Sequence, residues 1–554
     1  MKMLAARRSP ASALVCCLFL SAALAACAST LGENVVHTYE LSGQRLTARF
    51  QVVHGSLKVE DIEDLGNGAI LRPGEVFSLL LGDGHLIGAS QLRIDGGPTQ
   101  EQVAPIPTAS RQAERVAGQK LCADLTTLDN ALAVHWCAVL RDGADYLRQE
   151  ITLRASTHPV NITEVRLFDF QVPGAQVVGR VAGSPIVAGS FFFGFESPLA
   201  KSAVTHARAT SILTRVLPLG TGHSITYSSV IGVASPGQLR RDFLAYLEQE
   251  RAHPHRTFLN YNTWYDLGYG DRYSEADALN RVHAFGDELV RKRGVTMDSF
   301  LFDDGWDDPR SLWKFNSGFP DGCTAVRKAA AGYGFGIGVW LSPWGGYGAE
   351  KAKRVAAGEQ AGFETAKGGF ALSGLRYYER FEKTCMEMLS NYDVNQFKFD
   401  GTGNANQIFP GSLFDSDFSA MIHLIEQLRT RDPNIFINLT TGTWPSPFWL
   451  RYSDSIWRGG EDHGFDGVGS WRQKWITYRD EQTYRNVVEG GPLYPLNSLM
   501  LHGLIYADKA KNLDTDPKDD FPDEVHSFFG SGTQLQEMYL TPSLLSARDW
   551  DVLG

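Results

Sequence analysis

The run Gln396-Phe397-Lys398-Phe399-Asp400-Gly401 reads as a short strand that stops at a carboxylate followed by a turn residue. The same plan recurs on both sides of it. Apolar strand-like runs fall at 257–264, 299–303, 336–341, 435–439, 455–458, 496–501 and 537–540, which with 396–400 makes eight. Amphipathic helical patterns lie between them. One starts at Ser274 as N-cap, carries Leu279, Val282, Phe285 and Leu289 on one face, and stops at Gly294. Another starts near Asp417, has Phe418, Met421, Ile425 and Leu428 as its apolar stripe, and ends at Asp432-Pro433. Eight strands alternating with helices over about 300 residues predict a (β/α)₈ TIM barrel over 256–554.

Working back from Pro254, the rhythm is different. From 31 to 250 strand follows strand without helical patterns between them, as at 45–53, 76–81, 131–140, 147–153 and 162–170. This predicts a multidomain chain with an N-terminal antiparallel, all-β sandwich ahead of the barrel. The polar stretch around 100–115 reads as an extended loop. Still earlier, Arg7 and Arg8 precede an apolar run, 11–26, too short to span a membrane. It ends Leu24-Ala25-Ala26-Cys27, which resembles the lipobox of bacterial lipoproteins. Residues 1–27 are therefore expected to be a signal peptide with lipobox, with Cys27 as the lipidated residue. The expectation is an exported lipoprotein facing the periplasm or cell surface; cleavage after Ala25, with Cys27 incidental, is the alternative.

Net charge is −11, with 52 basic and 63 acidic side chains, which argues against a nucleic-acid surface. Of the seven cysteines, Cys122, Cys137, Cys323 and Cys385 remain beyond Cys27. Export permits disulfides, and Cys122 with Cys137 can bridge across one β-rich hairpin. Their spacing does not fit a zinc site and no His cluster accompanies them in the sequence, so neither metal nor cofactor is expected. Gly345-Gly346 and Gly459-Gly460 read as loops with unusual backbone angles, since no Gly-Lys-Ser/Thr follows them.

Barrel enzymes build their sites at the C-terminal ends of the strands. Here those ends read Asp303-Asp304-Gly305-Trp306, then Trp340 with Trp344, then Lys398-Phe399-Asp400, then Trp457-Arg458 with Glu461-Asp462-His463. Several carboxylates to bind hydroxyls, aromatic faces, and two more carboxylates for chemistry suit a sugar. Asp303-Asp304-Gly305-Trp306, Lys398-Phe399-Asp400-Gly401, and Trp457-Arg458 followed by Asp462 resemble the clan D glycoside hydrolases of families 36 and 27, the α-galactosidases and α-N-acetylgalactosaminidases. The sandwich ahead of the barrel looks like family 36, and the Lys-Phe-Asp-Gly wording like family 27. Gly305 stands where family 27 has a Cys. Members also carry a further C-terminal β domain, for which the residues after the eighth strand leave little room.

The resemblance implies a retaining exo-α-glycosidase acting on terminal α-linked galactose or N-acetylgalactosamine. Asp400 is then the nucleophile, and Lys398 binds hydroxyls and keeps Asp400 charged. Asp303 and Asp304 bind sugar hydroxyls, Arg458 lies near O2, and Asp462 is the acid/base, with the adjacent Glu461 as the alternative. Trp306, Trp340, Trp344 and Trp457 are candidate substrate-binding walls. Like charge from Glu461 and Asp466 is expected to raise Asp462. The implied partner is an oligosaccharide or glycoconjugate, with membrane contact through the lipid anchor alone. Two other readings stay open: a barrel hydrolase for another α-linked hexose, and a non-catalytic glycan-binding surface lipoprotein.

Overall fold

A computed structural model describes residues 36–401 and 408–554. The expected leader and Cys27 lie outside the described residues. The first part is built from antiparallel sheets. Val36–Ser42, Leu46–Val53, Ser56–Asp64 and Ala69–Leu71 form a four-stranded meander. Gly118–Thr126, Leu132–Arg141, Tyr146–Ala155 and Ser224–Val233 are consecutive neighbours in a nine-stranded sheet, and Ile162–Gln171 with Arg208–Thr214 lies in a five-stranded one. Burial along Leu132–Arg141 alternates, as a strand with one covered face requires. The inward residues of all three sheets meet in one apolar cluster, where Phe50 sets its edge on Trp136 at 5.1 Å and Phe168 meets Phe193 at 5.2 Å. The stretch expected to be loop contains a strand, Thr99–Val103, paired with Gly118–Thr126. All its side chains but that of Val103 are polar and exposed, so hydropathy gave no sign of it. A helix, Leu239–Glu250, also closes this part of the chain where strand was expected.

The second part is a parallel sheet curled on itself. Its strands are β1 (Phe258–Asn262), β2 (Ser299–Phe302), β3 (Gly336–Leu341), β4 (Val394–Asp400), β5 (Phe436–Thr440), β6 (Ser455–Trp457), β7 (Leu499–Met500), β8 (Leu504–Tyr506) and β9 (Leu535–Leu540). They run in the order β7-β6-β5-β4-β3-β2-β1-β9-β8. This corrects the expected ring of eight. The sheet has nine strands, and its ladder is open at one place. What was expected as one strand over 496–501 begins as a 3₁₀ turn at Leu496–Ser498. It then splits: β7 pairs with β6, and β8 pairs with β9. His502 and Gly503 between them both take positive φ, 70° and 62°, which no strand ladder accommodates. The helices fit their sequence signals better. Ser274 caps Glu275–Phe285, which continues as a π-helical turn to Arg291, and Ser416 caps Asp417–Arg431.

The two parts share a core. Tyr146, Val187 and Phe192 of the sandwich join the apolar cluster of the barrel, alongside Phe243, Tyr246 and Leu247 of the connecting helix. Buried Glu196 receives Arg148 at 2.9 Å, the Tyr246 hydroxyl at 2.6 Å, and Arg451 of the barrel at 3.1 Å. The carbonyls of Ala182 and Gly183 accept from Trp444 Nε1 and Ser446 Oγ, in the loop that follows β5.

Candidate active site

Strand alternation puts Gln396, Lys398 and Asp400 on the inner face of β4, while Phe397 and Phe399 join the surrounding apolar cluster. Asp400, at the end of the strand, is fixed by four donors. Trp340 Nε1 reaches its Oδ2 at 2.9 Å. Its Oδ1 accepts from the Tyr347 hydroxyl at 3.0 Å, Thr440 Oγ1 at 2.7 Å and the Gly401 amide at 2.7 Å. Two residues earlier on the same face of the strand, Lys398 Nζ donates to Asp303 Oδ2 at 2.8 Å. The direct partner of Lys398 is thus Asp303; Asp400 feels its charge through space. Burial would lower the Lys398 ammonium, but Asp303, Asp400 and Glu537 together outweigh burial and raise it.

Glu537, on β9, belongs to this group although no sequence signal drew attention to it. It is buried, and Asn262 Nδ2 and the Tyr539 hydroxyl donate to its Oε1 at 3.3 and 3.2 Å. Burial pushes its carboxyl up to about 7, with Asp303 adding to the rise and Lys398 opposing it. Asp304 faces a second cation. Arg354, from helix Gly348–Gln360, reaches Asp304 Oδ1 at 2.6 Å and Asp307 at 2.7 and 3.0 Å. Burial raises the Asp304 carboxyl to about 6; Arg354 resists this, and Asp307 and Asp303 add to it. The Arg354 guanidinium also lies 4.8 and 5.3 Å from the rings of Trp313 and Trp340.

Asp462 enters from the loop after β6. Arg458, fully buried, builds that loop: it donates to the carbonyls of Leu501 at 3.2 Å, Glu461 at 3.1 Å and Asp462 at 3.0 Å. Its guanidinium lies 4.4 Å over the Trp457 ring, and burial lowers its pKa to about 10. These contacts correct the expected placement of Arg458 on the sugar, since its donors are spent on the loop backbone. Gly459 and Gly460 take φ of 89° and 76° there, the unusual angles their pairing suggested. The Asp462 carboxyl is raised, first by the protein crowded around it, then by Asp400 and Asp303; Lys398 and Arg458 oppose. The residue as a whole still keeps exposed surface. The expected rise is present, but its causes are burial and the acids Asp400 and Asp303 from other strand ends, not neighbours in the chain.

The tryptophans divide. Trp306 and Trp344 are fully buried, with their N–H groups on the Trp340 carbonyl and on Asp417 Oδ2 at 3.0 and 2.9 Å. Neither presents a face to a ligand, which corrects their assignment as walls. Trp340 is equally buried and puts its N–H on Asp400. Trp457 keeps partial exposure; its N–H is on the Gly460 carbonyl, and its ring stands edge-on to His502 at 5.5 Å. His463 and His502 meet through Tyr265, whose hydroxyl lies 2.9 Å from His463 Nδ1 and 3.3 Å from His502 Nε2. Burial, then the cations Lys398 and Arg458, hold His502 far below its ordinary value, so it is neutral. Of the residues that the sequence reading missed, Thr440 ends β5, where the strand-end rule points; Tyr347 follows a glycine pair, and Arg354 sits inside a helix with no such signal.

No family model matches the chain, and no curated protein sequence matches it. Solved structures do. A family 36 α-galactosidase variant of Geobacillus stearothermophilus, AgaA, in complex with raffinose, has a TM-score of 0.62 at 13% identity, covering 93% of this chain and 85% of that one. AgaB of the same organism has a TM-score of 0.62 at 14% identity, covering 93% and 84%. The α-galactosidase of Lactobacillus brevis has a TM-score of 0.58 at 14% identity, covering 93% and 82%. The fold of this chain is theirs.

Proposed function

We propose that this protein is a glycoside hydrolase, a retaining exo-α-galactosidase, with Asp400 as nucleophile and Asp462 as acid/base. The observation that carries the reading is the Asp400 carboxylate, held by four donors at the end of β4 and close enough to Asp462 to raise its carboxyl electrostatically. The shared fold supports it, since a structure of that fold is described in complex with raffinose and another with stachyose.

In this mechanism a terminal α-galactoside binds with its anomeric carbon over Asp400. One Asp400 oxygen attacks that carbon while the bond to the leaving oxygen breaks and Asp462 delivers its proton there. Water then loses a proton to Asp462 and attacks the glycosyl-enzyme, freeing Asp400; two inversions leave the configuration unchanged. Lys398 and Asp304 are the groups placed to meet ring hydroxyls, and Asp303 holds Lys398 in position. Terminal α-linked N-acetylgalactosamine is the second substrate of the proposal. Export as a lipoprotein anchored through Cys27 completes it.

The test is Asp400→Asn assayed on an aryl α-galactoside. Turnover is expected to vanish while folding persists, and a trapped 2-fluoro-galactosyl group should appear on the Asp400 peptide of the parent. Substantial activity in the variant sinks the assignment. Cleavage of a different aryl α-hexoside, or glycan binding without any cleavage, would replace the proposal with one of the two other readings.

A further inference from the structure

On the large sheet of the sandwich, two adjacent strands bring four polar or sulfur side chains together. Gly118–Thr126 carries Cys122 and Asp124; Leu132–Arg141 carries His135 and Cys137. The register pairs Cys122 with Cys137 and Asp124 with His135. Residues two apart share a face, so the four form a rectangle on the side opposite buried Leu121, Ala123 and Trp136. The stretch reads Cys-x-Asp on one strand and His-x-Cys on the other. Only the pairing of the strands makes them one group.

His135 Nδ1 lies 2.8 Å from Asp124 Oδ1, and His135 Nε2 lies 3.2 Å from Cys137 Sγ. A carboxylate on Nδ1 keeps the proton there and leaves the lone pair of the neutral ring on Nε2, facing the sulfurs. That is how a carboxylate prepares an imidazole to bind a metal. One donor atom each from Cys122, His135 and Cys137 lies within 4.8 Å of the others. In the structure the two sulfurs are joined as a disulfide.

We propose that the dithiol form of this patch is a site for a zinc-like divalent cation, held by Cys122, Cys137 and His135 and oriented through Asp124. Metal and disulfide are then alternative occupants of one cysteine pair. A dithiol reductant gives two electrons and two protons to the S–S bond and itself becomes a disulfide, leaving two thiols. Metal binding forms two sulfur–metal bonds and releases both thiol protons to solvent. Thiolates with one imidazole suit zinc, and three protein ligands leave a fourth position for water.

The test is a cobalt(II) titration of the full chain, with zinc competition, before and after treatment with a phosphine reductant. The reduced chain should bind one cobalt with a thiolate charge-transfer band that zinc abolishes, and the oxidised chain should show none. His135→Ala, at an exposed position, should weaken binding at least tenfold, and Asp124→Asn by about 10-fold to 100-fold. Because Cys137→Ser also removes the disulfide, circular dichroism must first show that this variant is folded; it should then lose the band. Absence of the band in the reduced parent, or His135→Ala binding as tightly as the parent, overturns the proposal.

Discussion

Trp340 Nε1 donates to Asp400 Oδ2 at 2.9 Å, so the indole that sequence reading placed against the sugar instead aims the carboxylate that would attack it. The same ring packs against Arg354, which holds Asp304, so one side chain steadies acids from two different strand ends. Trp340→Phe keeps the packing and removes the donor. Its kcat on an aryl α-galactoside should fall by about 10²-fold, the scale of losses from small misplacements of reacting groups. KM should move far less, and a thermal melt should show the fold retained. A kcat equal to the parent's would show that the remaining three donors suffice.

Burial and the acids Asp400 and Asp303 raise the Asp462 carboxyl from its ordinary value, and in the proposed mechanism its protonated form donates to the leaving oxygen. The plot of kcat/KM against pH should therefore fall on its basic side as this proton is lost. In Asp462→Asn that basic limb should disappear, and an aryl substrate whose phenol leaves without protonation should be the one least impaired. A basic limb that survives in Asp462→Asn would hand the acid role to another group, with Glu461 the first to examine.

Glu537 links the site to stability. Its carboxyl sits at about 7 in the folded protein, above the value of an unfolded Glu. Between those two values the native state holds a proton that the unfolded chain has released, so stability declines as pH rises and levels off above the folded value. Ionising Glu537 costs on the order of 3 kcal/mol across that window. Glu537→Gln should flatten the decline, gaining relative to the parent from pH 5 to pH 8 in melts recorded side by side. Parallel curves for the two proteins would exclude this group as the source.

At Gly503 a Cβ would clash with the Glu537 carbonyl oxygen, a contact with backbone and not with a yielding side chain. Positive φ adds to the cost. Gly503→Ala should be destabilising by at least about 2 kcal/mol in denaturant unfolding, through the strain terms of a forced backbone. It should also disturb His502 and the bonds of Glu537 to Asn262 and Tyr539, lowering activity beyond what lost stability explains. A neutral substitution would mean the gap between β7 and β8 widens freely.

The alternation of strands and helices after Pro254 was legible because apolar runs alternate with amphipathic stripes, and Ser274 is a plain cap. Asp303, Lys398, Asp400 and Asp462 were legible because strand ends are where such barrels place chemistry. Other features depend on distance in the chain. Arg354 reaches Asp304 from 50 residues away, and Glu537 meets Asn262 across 275. Thr99–Val103 carries no hydrophobic period because four of its five side chains are polar and exposed, and one of them, Glu101, pairs with Lys120 on the neighbouring strand at 3.1 Å. A Trp in sequence does not reveal which way it faces, and Trp306 and Trp344 face inward because their N–H groups find acceptors there.

The junction at Glu196 has a consequence for anyone who would shorten this protein. Arg148, Tyr246 and Arg451 come from the sandwich, the connecting helix and the barrel, and all converge on one carboxylate shielded from water. Cutting the chain near residue 250 would strand Arg451 without its counter-charge and strip Phe243 and Tyr246 of half their surroundings, a loss of several kcal/mol at that spot alone. The smallest stable catalytic fragment therefore extends back through the sandwich, and a barrel expressed by itself should be recovered as aggregate.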